Sequence, residues 1–332
     1  MADPPIQVLH VVGSLGAHNI GGIVRSLVEV LRRVDRTQIA MDFLTHTQDP
    51  GRLDQTMRDL GARVFAGVPP TRLRAYRRRF FEVVGHPPRY QVVQTHIHPL
   101  GLPLWLARQA GIPLRIAHAH SNGPELHDWR PVARHLLRPL ARRMLERYAT
   151  HGLAVSHEAA RAQLGRLYTD SRCQVFYSGI DLEVFGRPVD RQASRRALGI
   201  EPDAFVVGHV GRLVPQKNHR LLIEILAALV AREPRTRMLL VGDGPLRPLV
   251  EQTVRQQGLG RHAIFTGLRG DVEQLMQGTM DAFLLPSHKE GLARVLLEAQ
   301  AAGLPALISD AVPAEGIVVD GLVRQLSRRR PA

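Results

Sequence analysis

The sequence predicts an α/β protein built from two doubly wound parallel-sheet domains, and three observations lead there. Short β-branched or apolar runs alternate with amphipathic segments, the signature of parallel strands joined by crossover helices. The alternation restarts after the polar, arginine-rich stretch GRPVDRQASRR at 186–196. The 332 residues, 44% of them apolar, also exceed what one core usually supports, so two domains of roughly 150 residues each are expected. The boundary is placed to give domains 1–185 and 186–332.

In the first domain the strand-like runs are IQVLHVV from Ile6, IAMDFL from Ile39, VVQTH from Val92, LRIAHAH from Leu114, GLAVSH from Gly152 and CQVFYSG from Cys173. In the second they are AFVVGHVGR, RMLLVGDG, AIFTG, AFLLPS and PALIS. Near-continuous apolar runs of this kind fit strands covered on both faces by helices. Such domains carry ligand loops at the carboxyl ends of their strands, so two facing domains make a cleft lined from both sides. Gly21-Gly22, His120, Arg212, Lys217 and Glu290 all follow predicted strands, and one cleft can collect them.

Composition removes several classes. A formal charge of +14 calls for a polyanionic partner or an arginine-rich proteome. Aromatic residues make up 5% and do not interleave with the arginines, which argues against a nucleic-acid platform. No window reaches the roughly 18 apolar residues of a membrane span, and MADPPIQVLHVVGSL lacks a secretory pattern. The single cysteine, Cys173, rules out an intramolecular disulfide framework and fits a reducing compartment, so a cytoplasmic location is expected.

The segment PSHKEGLARVLLEAQAAGLP, Pro286 to Pro305, is the most informative. Glu290 and Glu298 stand eight positions apart across the start of an apolar-striped helix, where each carboxylate can grip sugar hydroxyls. Gly291 lets the backbone approach a ligand, and a helix beginning near Leu292 points its free N–H groups there. In GRLVPQKNHRLLIEIL, Arg212 and Lys217 lie between a strand and a helix, where two cations can clamp a diphosphate; read alone, solvated loop charges are the plainer reading, and the glutamate pair reverses that balance. Gly21-Gly22 opens GGIVRSLVEVLRR and is either a phosphate-presenting helix start or a flexible turn.

His96 and His98 share one strand face, as do His118 and His120, so adjacent strands can in principle assemble a metal site. Hydrogen-bonded histidines are the plainer reading, and no Asp-x-Asp is present to hold a metal against a diphosphate, so no metal is expected. Arg130, Arg134, Arg138 and Arg142 recur every four residues beside leucines, and Arg72, Arg74, Arg77, Arg78 and Arg79 form a second basic patch. Both are solvated faces or a surface for an anionic membrane. No G-x-S-x-G elbow supports a hydrolase.

Taken in order, GGIVRSLVEVL, DFLTHT before LGARVF, HAHS, AVSHEAARAQL, YSGIDLEVF, VGRLVPQKNH, LLVGDGPLR, FTGLRGDVEQLM and the Glu-x7-Glu segment resemble the GT-B retaining glycosyltransferases of family four, especially bacterial enzymes of exopolysaccharide and capsule assembly. The match runs from about Val8 to Glu315. It implies two facing Rossmann-like domains and transfer from a nucleotide-diphosphate sugar, UDP-sugar first, to a lipid-linked surface glycan at the inner face of the cytoplasmic membrane. In that likeness Arg212 and Lys217 hold the donor phosphates and replace a metal, and Gly21 and Gly22 approach the diphosphate from the other domain. Glu298 holds the ribose, Glu290 with the backbone of Gly291 and Leu292 holds the sugar, and Leu268 begins the segment against the base. His120 lies beside the reacting sugar, and the departing phosphate takes the acceptor proton.

Two departures qualify the likeness. Ala293 stands where the family usually has Pro or Gly, and Arg294 where it has a small or apolar residue. Relatives generally continue past this end into a helix that returns to the first domain, so a missing or shortened strap is expected. The alternatives are a catalytically silent scaffold subunit and an NDP-sugar epimerase on the same fold.

Overall fold

The computed structural model describes residues 4–16, 22–96, 101–121 and 131–327, excluding the side chains of 131–138. Gly21, His98 and Arg130 lie outside the described residues, as do the side chains of Arg134 and Arg138. The chain divides into two compact units, Met1–Ser178 and Gly179–Ala332. The division lies ahead of the boundary placed before Gly186. The turn Glu183–Gly186 is held by the second unit, where the Gln277 side-chain amide donates to the Phe185 carbonyl at 2.5 Å.

The first unit contains a seven-stranded parallel sheet: β1 (Ile6–Val12), β2 (Ile39–Thr45), β3 (Val64–Phe65), β4 (Val92–His96), β5 (Leu114–Ala119), β6 (His151–Ala154) and β7 (Cys173–Val175). Its spatial order is β3-β2-β1-β4-β5-β6-β7. The second unit contains β8 (Phe205–Val210), β9 (Thr236–Val241), β10 (Ala263–Gly267), β11 (Ala282–Leu285), β12 (Ala306–Ser309) and β13 (Val323–Leu326), in the order β10-β9-β8-β11-β12-β13. Every expected run forms a strand. The structure adds the edge strands β3 and β13. Residues of β13 are mostly exposed, so burial had no need to impose an apolar pattern there.

Side chains alternate across each strand, and here both faces are covered. Val206, Leu239, Val241, Phe283 and Leu285 pack into one core of the second unit, while their strand neighbours Val207, Met238, Leu240 and Leu284 pack into another. In the first unit Leu9, Val11, Leu44 and Val93 face one core, and Val12, Met41 and Phe43 face the other. Strand order reverses between β1 and β4 in the first sheet and between β8 and β11 in the second. At such reversals adjacent loops diverge to opposite faces and leave a crevice for a ligand.

The two basic segments are helical. In Leu73–Val84, Tyr76, Phe80, Val83 and Val84 are buried while Arg74, Arg77 and Arg78 are exposed. Helix Pro131–Tyr148 runs through Pro139 and exposes Leu140, Arg142, Arg143 and Arg147. No helix of the described residues is long and apolar enough to cross a membrane.

Candidate functional site

In the second unit, the loops after β8 and β11 meet at the reversal of strand order. Beyond β8 the backbone is pinned to the loop after β9: Gly211 N–H donates to the Val241 carbonyl at 2.9 Å and Leu213 N–H to that of Asp243 at 3.0 Å. That approach requires glycine opposite. A side chain at Gly242, whose φ is +132°, would run into the Gly211 carbonyl oxygen, and one at Gly244 into that of Leu213.

A single 3-10 turn, Pro215–Lys217, follows, closed by Asn218 in the left-handed region (φ 55°) before the helix His219–Arg232. Asparagine tolerates that conformation better than most residues. Its side-chain amide donates to the Pro286 carbonyl at 3.2 Å. His288 N–H donates to the Gln216 carbonyl at 2.8 Å, and the Gln216 amide returns a bond to the Lys289 carbonyl at 2.9 Å. The two loops are therefore fixed before any ligand arrives.

Across this seam Lys217 Nζ lies 2.7 Å from Glu290 Oε1, with the side chains only 14% and 9% exposed. An ammonium carries three donors, and Glu290 takes one in this contact. The Lys217 stem lies over Gly211, close to His209 Nε2. His209 Nδ1 donates to the Leu284 carbonyl at 2.9 Å, which makes Nε2 the unprotonated nitrogen; it is buried without a hydrogen-bond partner. Burial, with repulsion from the His219 ring and the Lys217 ammonium, lowers the His209 pKa to about 3, and burial with Lys217 lowers that of His219 to about 4.

The remaining expected residues are placed differently. Arg212 is exposed on the loop and makes no ion pair among the described residues. Gly291 is buried and Leu292 partly buried, but the helix begins at Arg294 rather than near Leu292. Ala293 at its N-cap offers no side-chain oxygen, and its backbone (φ −75°, ψ 86°) lies outside the helical region. Glu298 stands one turn into that helix, its Oε1 4.0 Å from Arg294 Nη2. The structure thus joins Glu290 to Lys217 and sets Glu298 beside Arg294. Leu268 is exposed after β10, just ahead of Arg269, which makes a two-pronged pair with Asp271 at 2.8 and 2.6 Å.

In the first unit, Gly22 is the first residue of helix Gly22–Arg33, and its carbonyl accepts from Ser26 Oγ at 3.0 Å. His120 lies one residue past β5 and ends a line of imidazoles on one sheet face. His10 Nδ1 is 2.8 Å from His96 Nε2, and His96 Nδ1 is 2.9 Å from His120 Nε2. The His118 ring lies tilted against that of His120 with centroids 3.9 Å apart, and its Nδ1 is 3.0 Å from Gln94 Nε2. Burial lowers the pKa of His10 to about 3, of His118 to about 4, and of His120 well below the usual histidine range. His96, His118 and His120 each bring a ring nitrogen within 4.8 Å of the others, close enough to share a metal ion.

His10, Gln94, His209 and Gln216 escaped the sequence reading. The available signal was polarity inside apolar strands: His10 interrupts IQVLHVV, and His209 interrupts AFVVGHV.

Two family models together span most of the chain: a glycosyl transferase 4-like domain over residues 21–179 and glycosyl transferases group 1 over residues 190–326. The chain is 32% identical over 333 residues to the putative glycosyltransferase EpsF of Bacillus subtilis (strain 168), covering 98% of this chain and 84% of that protein. It is 29% identical to the UDP-Gal:alpha-D-GlcNAc-diphosphoundecaprenol alpha-1,3-galactosyltransferase of Escherichia coli, over 67% of this chain and 58% of that one. Among solved structures, Anabaena Alr3699/HepE in complex with UDP superposes with a TM-score of 0.76 at 23% identity, covering 97% of this chain and 86% of that one. The fold and these matches define a sugar-transferring enzyme of the GT-B class. The chain belongs to the family-four, group 1 glycosyltransferases.

Proposed function

We propose that this glycosyltransferase is a retaining, metal-independent hexosyltransferase that moves a sugar from a UDP-sugar to a lipid-linked surface glycan. The observation that carries the reading is the Lys217–Glu290 pair, 2.7 Å apart where strand order reverses in the second sheet. A diphosphate and a hydroxylated sugar need a cation and a carboxylate side by side, and this pair supplies both. The relatives named for UDP, UDP-Gal and an undecaprenol-linked acceptor favour the same ligand classes.

Breaking the glycosidic C–O bond develops negative charge on the leaving phosphate. Lys217, with Arg212 swinging in from its exposed loop, stabilises that charge more in the transition state than in the ground state. Glu290 orients Lys217 and accepts from sugar hydroxyls, Gly291 and Leu292 present backbone to the sugar, and Glu298 accepts from the ribose. Leu268 packs on the base. Gly21 and Gly22 are assigned to the diphosphate and His120 to the reacting sugar. The departing phosphate takes the acceptor proton, which leaves no separate base to name. The exposed arginines of helices Leu73–Val84 and Pro131–Tyr148 favour peripheral contact with an anionic membrane.

Release or transfer of sugar from UDP-sugars tests this reading in the purified chain and in Lys217→Ala, Glu290→Ala and Arg212→Ala. Near-wild-type rates in all three variants reject it.

A further inference from the structure

The imidazole cluster of the first unit has a feature that sugar transfer does not use. His96 and His118 each commit one ring nitrogen to a partner outside the trio: His96 Nε2 to His10 Nδ1 at 2.8 Å, and His118 Nδ1 to the Gln94 amide at 3.0 Å. Their other nitrogens are His96 Nδ1, 2.9 Å from His120 Nε2, and His118 Nε2, which is buried and has no hydrogen-bond partner. One nitrogen fixed by an outer polar group and the other left for an ion is the arrangement that metal-ligating histidines adopt.

The orphaned nitrogen is the second, independent sign. If Gln94 donates to His118 Nδ1, a buried N–H at Nε2 goes unmet; if Nδ1–H donates to the Gln94 oxygen, a buried lone pair goes unmet. A cation in the space shared by the three rings satisfies the second arrangement. Imidazole nitrogens select borderline transition metals over Mg2+ or Ca2+, and three of them leave tetrahedral Zn2+ one open position. Zn–N bonds of about 2.0–2.1 Å require neighbouring ligand nitrogens roughly 3.3 Å apart in a tetrahedral shell. The 2.9 Å between His96 Nδ1 and His120 Nε2 then has to widen by only a few tenths of an ångström.

We propose that His96, His118 and His120 form a three-imidazole site for a divalent transition metal, Zn2+ first, with His10 and Gln94 as outer partners, and that metal bound there inhibits transfer by withdrawing His120. The inhibitory half rests on the role given to His120 above; the site itself does not. The metal is no participant in the donor chemistry.

The test uses the full chain, freed of metal by chelation and dialysis, with Zn2+ followed by equilibrium dialysis and Co2+ by the visible absorption of a tetrahedral complex. One ion per chain is expected. His118→Gln and His96→Gln should each weaken binding at least tenfold, and His10→Gln about 10–100-fold through loss of the outer partner. His151→Gln, on an exposed histidine elsewhere in the unit, should bind as wild type does. Circular dichroism checks that each variant folds. No stoichiometric binding by folded wild type, or binding indifferent to His118→Gln and His96→Gln, overturns the site and leaves the donor clamp untouched. Zn2+ bound at these residues without lowering the transfer rate overturns the inhibitory half and the role of His120 with it.

Discussion

The two sheets solve the same topological problem with opposite chemistry. Where the second sheet reverses direction, a charge pair, Lys217 and Glu290, sits at the seam of two hydrogen-bonded loops. Near the reversal of the first sheet, buried and half-buried imidazoles hydrogen-bond in a line, with desolvation holding His10, His118 and His120 uncharged at neutral pH. A fixed charge suits a ligand that arrives charged, because the interaction is in place before chemistry begins. Neutral rings suit work on an uncharged group, since they can donate or accept without a counter-ion. The same sheet topology thus carries a charge pair in one unit and a hydrogen-bonded imidazole cluster in the other.

The comparison can be broken first at the charged end. Lys217→Ala should lower kcat/KM for the sugar donor about 10²–10³-fold, the range for removing one preorganised donor from a developing oxyanion. Glu290→Ala should fall comparably, because it strands a largely buried ammonium. Steady-state kinetics across UDP-sugars checks both. Arg212→Ala should lose less, about tenfold, because its exposed side chain must be immobilised on binding.

Gly242→Ala tests the loop scaffold rather than the charges. It combines a φ of +132° with a clash on the Gly211 carbonyl, and should reduce stability by about 3 kcal/mol in denaturant unfolding. A variant as stable as wild type would show that the loop after β8 does not depend on this contact.

The smallest effect concerns pH. His209 and His219 titrate at about 3 and about 4 in the folded chain, below the ordinary 6.5. Below pH 6.5 the unfolded chain therefore takes up protons that the folded chain refuses. Their contribution is full above about pH 6.5 and is lost as pH falls towards 4 and then 3. The thermal midpoint should drop between pH 7.5 and pH 5, and His209→Gln should show a shallower drop. Equal slopes would place the pH dependence elsewhere.

How much was legible follows from the forces involved. Strands buried on both faces had to be apolar, so β1, β8 and β11 announced themselves, whereas the exposed β13, VRQL, was under no such constraint. Lys217 and Glu290 were each visible beside a strand end. Their contact, across 73 residues, depends on β8 lying next to β11, which sheet order decides and local pattern does not. Glu298 was visible by its spacing from Glu290; its approach to Arg294, one helical turn earlier, depends on where that helix starts. Three of the four clustered histidines were visible: His96 and the pair His118 and His120 stood out, but His10 needed the register of β1 against β4.

A double-mutant cycle on donor turnover by Lys217→Ala, Glu290→Ala and the combined variant tests the charged seam most directly. If the two side chains act as one unit on the leaving phosphate and its sugar, each single loss is about 10²–10³-fold and the double variant is scarcely worse than the poorer single. Losses that simply multiply, or singles that turn over as fast as the parent, would contradict it.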